Sequence, residues 1–226
     1  MIDPTFSVIL PLYKQVGHAE NLYNAYTAAL ATLGESWELL FIVNGADDGA
    51  YDKLNSLNEL PNVKVFRLEN GGWGRAVKFG LSKAVGKYLC YTNSARTEIN
   101  DLLMILNYAR VNDHNLVKAT RIIREKLVRK IGSTLYNLEC RILYKVPIWD
   151  VNGTPKVIPK TVYNDLTIVS DDDLIDAEII IRCARKNVRI IDIPVVSTQR
   201  ISGKSTTNYA SAFKMYSGLF RLKNKL

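Results

Sequence analysis

Apolar and polar positions change period along the chain. Phe6-Ser-Val-Ile-Leu10 is a short, nearly all-apolar run closed by Pro11, which predicts a buried strand. Over 17–33, Ala19, Leu22, Tyr23, Tyr26, Ala29, Leu30 and Leu33 recur at helical spacing. Further strands are predicted at 37–43 (stopped by Asn44-Gly45), 63–68, 87–91 and 116–119, with helices at 48–58, 74–84 and 101–112 between them. Strand and helix in turn, with short connections, predict an α/β fold with a mainly parallel sheet and helices on both faces. Ligands in such sheets bind beyond the carboxyl ends of strands. The turns at 11–15, 44–48, 70–75 and 92–98 are therefore where a site is expected.

Past residue 120 the pattern differs. A long helix is predicted over 123–143, with Leu127, Ile131, Leu135, Leu138 and Ile142 as one apolar stripe. Lys126, Lys130, Asn137 and Arg141 lie on another face, and Pro147 ends the helix. A turn and strand follow at 151–157, a helix at 176–187, and strands at 188–193 and 195–199. A last amphipathic helix is predicted over 208–222, with Tyr209, Ala212, Phe213, Tyr216, Leu219 and Phe220 on one side. The expected organisation is one domain over 1–206 and a basic amphipathic tail over 207–226.

Composition is ordinary for a globular chain: 226 residues, 47% hydrophobic and 23% charged. No apolar run reaches the roughly 18 residues of a membrane span, and the start lacks the pattern of a signal peptide. Cys90, Cys140 and Cys183 are widely spaced and match no metal pattern, which suits small buried side chains in a reducing, cytoplasmic setting. The net charge of +8 is unevenly spread. Residues 118–145 carry +6, residues 201–226 carry +5, and the remainder is negative. Such concentration points to a polyanionic partner: phosphates, anionic lipid or nucleic acid. Nucleic acid is the weakest of these, since no aromatic platform or groove-reading motif accompanies the charge.

Several segments become informative together: SVILPLYK, WELLFIVNGADDG, NGGWGRAVKFGLSKAVGKYLCY, WDVNGTPKVIP at 149–159, DAEIIIRCARKNVRIIDIPV at 176–195 and RISGKS at 200–205. In this order and spacing the chain resembles the family 2 glycosyltransferases, which have the Rossmann-like GT-A fold, and most closely their polyprenyl-phosphate branch, which includes dolichol-phosphate mannose synthase. The resemblance implies inverting transfer of a sugar from a nucleotide-sugar, UDP- or GDP-linked, to an acceptor. It implies that Pro11, Tyr13 and Asn44 cradle the base, although Asn44-Gly45 is equally a turn signal. It implies that Asn70 to Gly74 bring bare amides toward ribose or phosphate at a helix start. The loop holding Arg200 and Lys204 then closes over the diphosphate. Arg121, Arg129 and Ser133 resemble contacts to a lipid phosphate.

One departure changes the chemistry. Where the family has Asp-x-Asp for a divalent cation (Mg²⁺ or Mn²⁺), this chain has Asn93 and Ala95. An amide and a methyl are poor ligands for a hard cation. Three readings follow. Cations such as Arg75, Arg96 and Arg121, with Arg200 and Lys204, replace the metal at the diphosphate. Alternatively the metal moves to Asp171-Asp172-Asp173 and Asp176, or the chain binds nucleotide without turnover. For catalysis the resemblance singles out Asp150, and Asp176 with Glu178, whose i, i+2 spacing puts the two on different helix faces. A hydroxyl acceptor needs such a base, whereas a phosphate acceptor needs mainly positive charge. The first expectation is transfer to a polyprenyl phosphate by a peripheral protein at the inner face of an anionic membrane. The second is transfer to a saccharide acceptor in surface polysaccharide synthesis. Self-association through the last helix stays open.

Overall fold

The computed structural model describes residues 3–45, 49–123, 127–196 and 209–223, with backbone alone for 123, 127–131 and 209–215. Seven strands form one sheet: β1 (Phe6–Leu12), β2 (Trp37–Asn44), β3 (Val63–Leu68), β4 (Tyr88–Tyr91), β5 (Leu116–Ile123), β6 (Lys156–Pro159) and β7 (Ile190–Val196). Their order is β3-β2-β1-β4-β6-β5-β7. The first four pair in parallel, and β5 pairs in parallel with β7. β6 runs antiparallel between β4 and β5 and joins the halves.

The helices are α1 (Ala19–Ala31), α2 (Ala50–Asn55), α3 (Trp73–Lys83), α4 (Ile99–Arg110), α5 (Leu127–Tyr144), α6 (Lys160–Asn164), α7 (Ile175–Arg185) and α8 (Tyr209–Lys223). They cover both faces of the sheet. Phe6, Val8 and Leu10 of β1 pack with Tyr26 and Leu30 of α1 and with Leu102 and Leu106 of α4. Ile9, Leu40 and Ile42 pack with Ala76, Val77 and Leu81 of α3, in a core that continues to α5, α7 and α8. The alternation follows from the strand period of two. Cys90, Cys140 and Cys183 are free and buried. Among the described residues no helix is long and apolar enough to cross a membrane.

Several expected boundaries move, each for a physical reason. Pro11 lies inside β1, opposite Ile42, rather than ending it. β4 pairs with β1 only as far as Ile9, so Pro11 has a ladder on one side alone, where a missing N–H is tolerated. The strands expected at 188–193 and 195–199 are, as far as Val196, one strand, β7, and 197–199 lie outside the described residues. β7 lies at the sheet edge, where Pro194 is accommodated opposite Thr120. The turn and strand expected over 151–157 are found, with the strand, β6, running on to Pro159, and the short α6 that follows has no counterpart in the expected elements. Ile123, expected to start a helix, ends β5.

The apolar stripe of α5 is the main surprise. Its inward side chains are Tyr136, Asn137 and Cys140, while Leu135, Leu138 and Ile142 face outward. The expected tail is also part of the body. Leu219 and Leu222 of α8 are buried in the same core as Ile9. Tyr216 donates its hydroxyl to the Gly132 carbonyl of α5, and Tyr144 donates to the Leu219 carbonyl.

Candidate functional site

Four turns meet at the carboxyl ends of β1, β2, β3 and β4, and specific contacts tie them together. Asn44, buried at the end of β2, donates from Nδ2 to the Leu12 carbonyl (2.9 Å) and accepts at Oδ1 from the Gly72 amide (3.0 Å). It thus braces the end of β1 against the glycine-rich turn, so turn chemistry and positioning share one residue. Gly45 and Gly71 touch backbone to backbone: a Cβ on Gly45, at φ +71°, would lie 2.2 Å from the Gly71 Cα. Gly74 at the start of α3 is equally constrained, since its Cβ would lie 1.9 Å from the Asp172 carbonyl oxygen. Across the opening, Ser94 donates to Gln15 (3.2 Å), joining the turn after β4 to the turn after β1.

The predicted donor residues gather around this opening. Pro11 is buried in β1 and supports it from below. Tyr13 is half-buried, with the Lys14 ammonium 5.4 Å from its ring centre. Lys14 itself, at φ +53°, adds a cation at the end of β1 that sequence reasoning had not singled out. Asn70 is exposed. Arg75 donates to the Gly71 carbonyl (2.9 Å) and lies 3.6 Å from Asp171. Arg96 is half-buried in the turn after β4. Arg200 and Lys204 lie outside the described residues.

The position of the missing Asp-x-Asp does not fit a cation. Ala95 is fully buried, and the Asn93 Oδ1 accepts from the Ala95 amide (3.1 Å), so its oxygen serves the turn. Nor do the consecutive acids converge. Asp171 faces Arg75, and Asp172 accepts from the Leu174 amide (3.0 Å). Among the described residues no three His, Cys, Asp or Glu side chains form a metal-holding group.

The three predicted catalytic carboxylates are buried and fully engaged. Asp150 grips Arg121 with both oxygens, at 2.8 Å to Nε and 2.7 Å to an Nη, and also accepts from the Arg121 amide (3.0 Å). The bidentate fork explains why both residues sit where β5 meets the 146–153 turn. Asn137 of α5 fixes that turn by holding the Trp149 carbonyl and the Val151 amide. Asp176 accepts from the Trp73 indole (2.9 Å), the Tyr91 hydroxyl (2.9 Å) and the Lys156 ammonium. It therefore pins the glycine-rich turn, β4 and β6 to the start of α7. Glu178 points elsewhere, as the i, i+2 spacing predicts. It accepts from the Val169 and Ser170 amides (2.9 and 2.6 Å) and from Arg182 (2.7 Å). Burial alone would raise its carboxyl, but the two amides and Arg182 hold it below its ordinary value.

Two lysines belong to this region that sequence reasoning gave no role in the site. Lys118 and Lys156 face each other across β5 and β6, both fully buried. Lys118 donates to Asp192 (2.5 Å) and Thr120 (2.9 Å). Burial pushes both ammonium groups down, against the pull of Asp192 on Lys118 and of Asp176 on Lys156. The basic cluster read over 118–145 is thus smaller at the surface than its count. The signal was present: a lysine between Val117 and Ala119 in an apolar strand must be buried, and burial demands a partner. Asp173 was read only as part of an acidic run. It is half-buried, and its carboxylate has no hydrogen-bond partner among the described residues. Burial, then the charges of Asp176 and Asp172, push its carboxyl above its ordinary value.

Of the acceptor-side residues, Ser133 is half-buried on α5, and of Arg129 only the backbone in α5 is described.

Comparison with known proteins agrees with this architecture. Crystal structures of glucosyl-3-phosphoglycerate synthase from Mycobacterium tuberculosis superpose on 96% of this chain and 77% of theirs. One, in complex with Mn²⁺, UDP and glucosyl-3-phosphoglycerate, has a TM-score of 0.69 at 12% identity. Another, with Mn²⁺, UDP-glucose and phosphoglyceric acid, has a TM-score of 0.70 at 13% identity. At such identity the likeness is one of fold, and it shows a GT-A architecture. An uncharacterized glycosyltransferase of Rickettsia bellii is 28% identical over 143 residues, 60% of this chain and 19% of that protein. One from Rickettsia typhi is 24% identical over 234 residues, 92% of this chain and 67% of that protein. The chain spans about a fifth or less of the length of the first curated relatives it matches. The family model for glycosyl transferase family 2 matches residues 7–167, from β1 to just past α6, and on that match the chain belongs to glycosyltransferase family 2.

Proposed function

We propose that this chain transfers a sugar from a nucleotide-sugar to an acceptor that arrives already anionic, a polyprenyl phosphate at a membrane surface. One observation carries the choice of acceptor. Asp150, Asp176 and Glu178 are each buried and engaged by cations or amides, which leaves none of them placed to take a proton from a hydroxyl. A phosphate oxygen needs no such base. It attacks the anomeric carbon from the face opposite the leaving group. The bond to the nucleoside diphosphate breaks, its electron pair goes to the diphosphate oxygen, and the configuration inverts. Charge on the leaving diphosphate is met by side chains rather than by an ion, with Lys14, Arg75 and Arg96 around the opening and Arg200 and Lys204 expected from the loop. Guanidinium forks suit diphosphate oxygens. Arg121, aimed by Asp150, stands on the acceptor side with Arg129 and Ser133.

The test is transfer from UDP- and GDP-sugars to a short-chain, water-soluble polyprenyl phosphate and to the matching alcohol, with and without EDTA. Turnover with the phosphate alone, unchanged by EDTA, is the expected result. Turnover with the alcohol or a saccharide overturns the choice of acceptor, and a strict need for Mn²⁺ overturns the side-chain replacement.

A second reading rests on Asp173. Its unpartnered, half-buried carboxyl with a raised pKa has the character of a general base, which a saccharide acceptor would need. In that case Asp173→Asn abolishes transfer, and the acid limb of the pH profile lies above the ordinary aspartate value. Under the phosphate reading the same variant keeps most of its activity.

A further inference from the structure

A surface helix normally turns its apolar side inward, and α5 does the reverse with part of its sequence. Leu135, Leu138 and Ile142 are 53%, 42% and 69% exposed, while Tyr136, Asn137 and Cys140 take the inward positions. The three exposed residues recur at i, i+3 and i+7, so they form one row along the outward face. Trp149, 57% exposed, extends the row beyond the end of the helix. Its ring carries the Arg141 guanidinium 4.1 Å from the centroid. Leu138, Arg141, Ile142, Lys145, Val146 and Pro147 line a shallow depression of about 350 Å³ beside the row.

Two cations flank this row. Arg141 and Lys145 border it, and Lys145, at φ +55°, closes α5 in the left-handed conformation. The one carboxylate among the described residues of this stretch, Glu139, is half-buried, with its Oε2 shielded from solvent. An apolar row beside an aromatic ring and two cations fits the boundary between acyl chains and anionic headgroups. Leucine and isoleucine enter the apolar layer, an indole sits at headgroup level, and Arg and Lys meet the phosphates. A second copy of the chain fits less well. A two-fold contact sets a patch against itself, and here that would bring Arg141 and Lys145 close to their own copies.

From this arrangement we infer that the outward face of α5, with Trp149, docks the protein on an anionic bilayer. The inference deepens the proposed function by naming the surface that meets the membrane. The face lies directly behind the acceptor side, because Asn137 grips the turn that runs from Trp149 into Asp150. Docking there would bring the Arg121–Asp150 fork to the membrane boundary. Vesicle binding needs neither donor nor acceptor, so its failure leaves the transfer reading standing, and failed transfer leaves the docking face standing.

The full chain is floated with vesicles of phosphatidylcholine, alone or with ~30% phosphatidylglycerol, at low and high salt. Binding to the anionic vesicles, weakened by salt, is expected. The double variant Leu138→Glu with Ile142→Glu changes exposed positions only and should lower the bound fraction at least about tenfold with an unchanged circular dichroism spectrum. Arg141→Gln with Lys145→Gln should remove most of the salt dependence. If the glutamate variant fails to fold, the wild-type protein still decides: brominated lipid should quench its tryptophan fluorescence, and Trp149→Phe should remove that quenching. Equal vesicle binding by wild type and a folded glutamate variant overturns the inference, as does absence of binding by the wild type. Self-association of the wild type that the glutamate variant loses, without vesicle binding, also overturns it in favour of a subunit contact.

Discussion

Between β2 and β4 the sheet faces α3 with Ile9, Leu40, Ile42 and Leu89, whereas between β6 and β7 the same face carries Lys156, Lys118 and Asp192. The half built on β1 to β4, where the donor is proposed to bind, is held by apolar packing. Its one buried carboxylate among the described residues, Glu38, pairs with Ser7 and Lys64. The half built on β5 to β7, where the acceptor is proposed to bind, adds ion pairs to its packing: Lys156 with Asp176, Lys118 with Asp192, and Arg121 with Asp150. Apolar contacts tolerate small changes of shape, because neighbouring side chains relax around them. A buried ion pair does not, since removing one member strands the other's charge. The acceptor half is accordingly the more rigidly specified, and its side chains are oriented before any ligand arrives.

The sharpest test sets one half against the other. Lys156→Met should cost about 3–5 kcal/mol, by leaving the Asp176 carboxylate without its cation. Ile42→Val in the donor half should cost only about 0.5–1.5 kcal/mol. Urea denaturation of both variants measures the difference, and equal costs would erase the contrast. Replacing both members of the ion pair, Lys156→Met with Asp176→Leu, should recover part of the loss.

Glu178→Gln should cost about 2–3 kcal/mol, because two amides and Arg182 lose a charged acceptor. The sign of its pH dependence follows from the depressed folded value. The stabilisation is fully present above the ordinary carboxyl value of 4.5 and is lost as pH falls through the lower folded value. Between 4.5 and that lower folded value, stability of the wild type should therefore fall more steeply with pH than stability of Glu178→Gln.

In the donor half, Gly74→Ala should cost about 1–3 kcal/mol, since the new methyl meets the Asp172 backbone and no flexible side chain can give way. The smallest effect is expected at Arg75→Ala. Its ion pair with Asp171 is exposed at both ends, and such pairs contribute below about 0.5–1 kcal/mol. Under the proposed function the same variant should still weaken nucleotide binding in a calorimetric titration, which separates a ligand contact from a structural one.

The donor half was also the more legible in sequence. β1, β2, β3 and β4 and the helices between them announce themselves by a clean switch between periods of two and 3.6, and Asn44-Gly45 and Asn70-Gly-Gly mark the turns that converge. The acceptor half hid its logic in pairings that join distant segments. Nothing near Lys118 names Asp192, and nothing near Trp73 or Tyr91 names Asp176. The direction of β6 is likewise set by its neighbours rather than by its own four residues. Pro194 looked like a break because edge position is a property of the sheet. On α5 the periodicity was read correctly as a stripe, but a stripe does not say which side is wet.

The buried seat of α8 bears on how this chain reaches its folded state. Leu219 and Leu222 complete a core whose first strand was synthesised some two hundred residues earlier. Until that helix emerges, Leu174, Tyr136 and Cys140 lack the apolar wall that α8 supplies, and the nascent chain carries an open groove beside an otherwise nearly finished core. Contacts so far apart along the chain slow folding. A groove of this kind is a natural docking point for chaperones and for aggregation during synthesis, until α8 emerges and fills it.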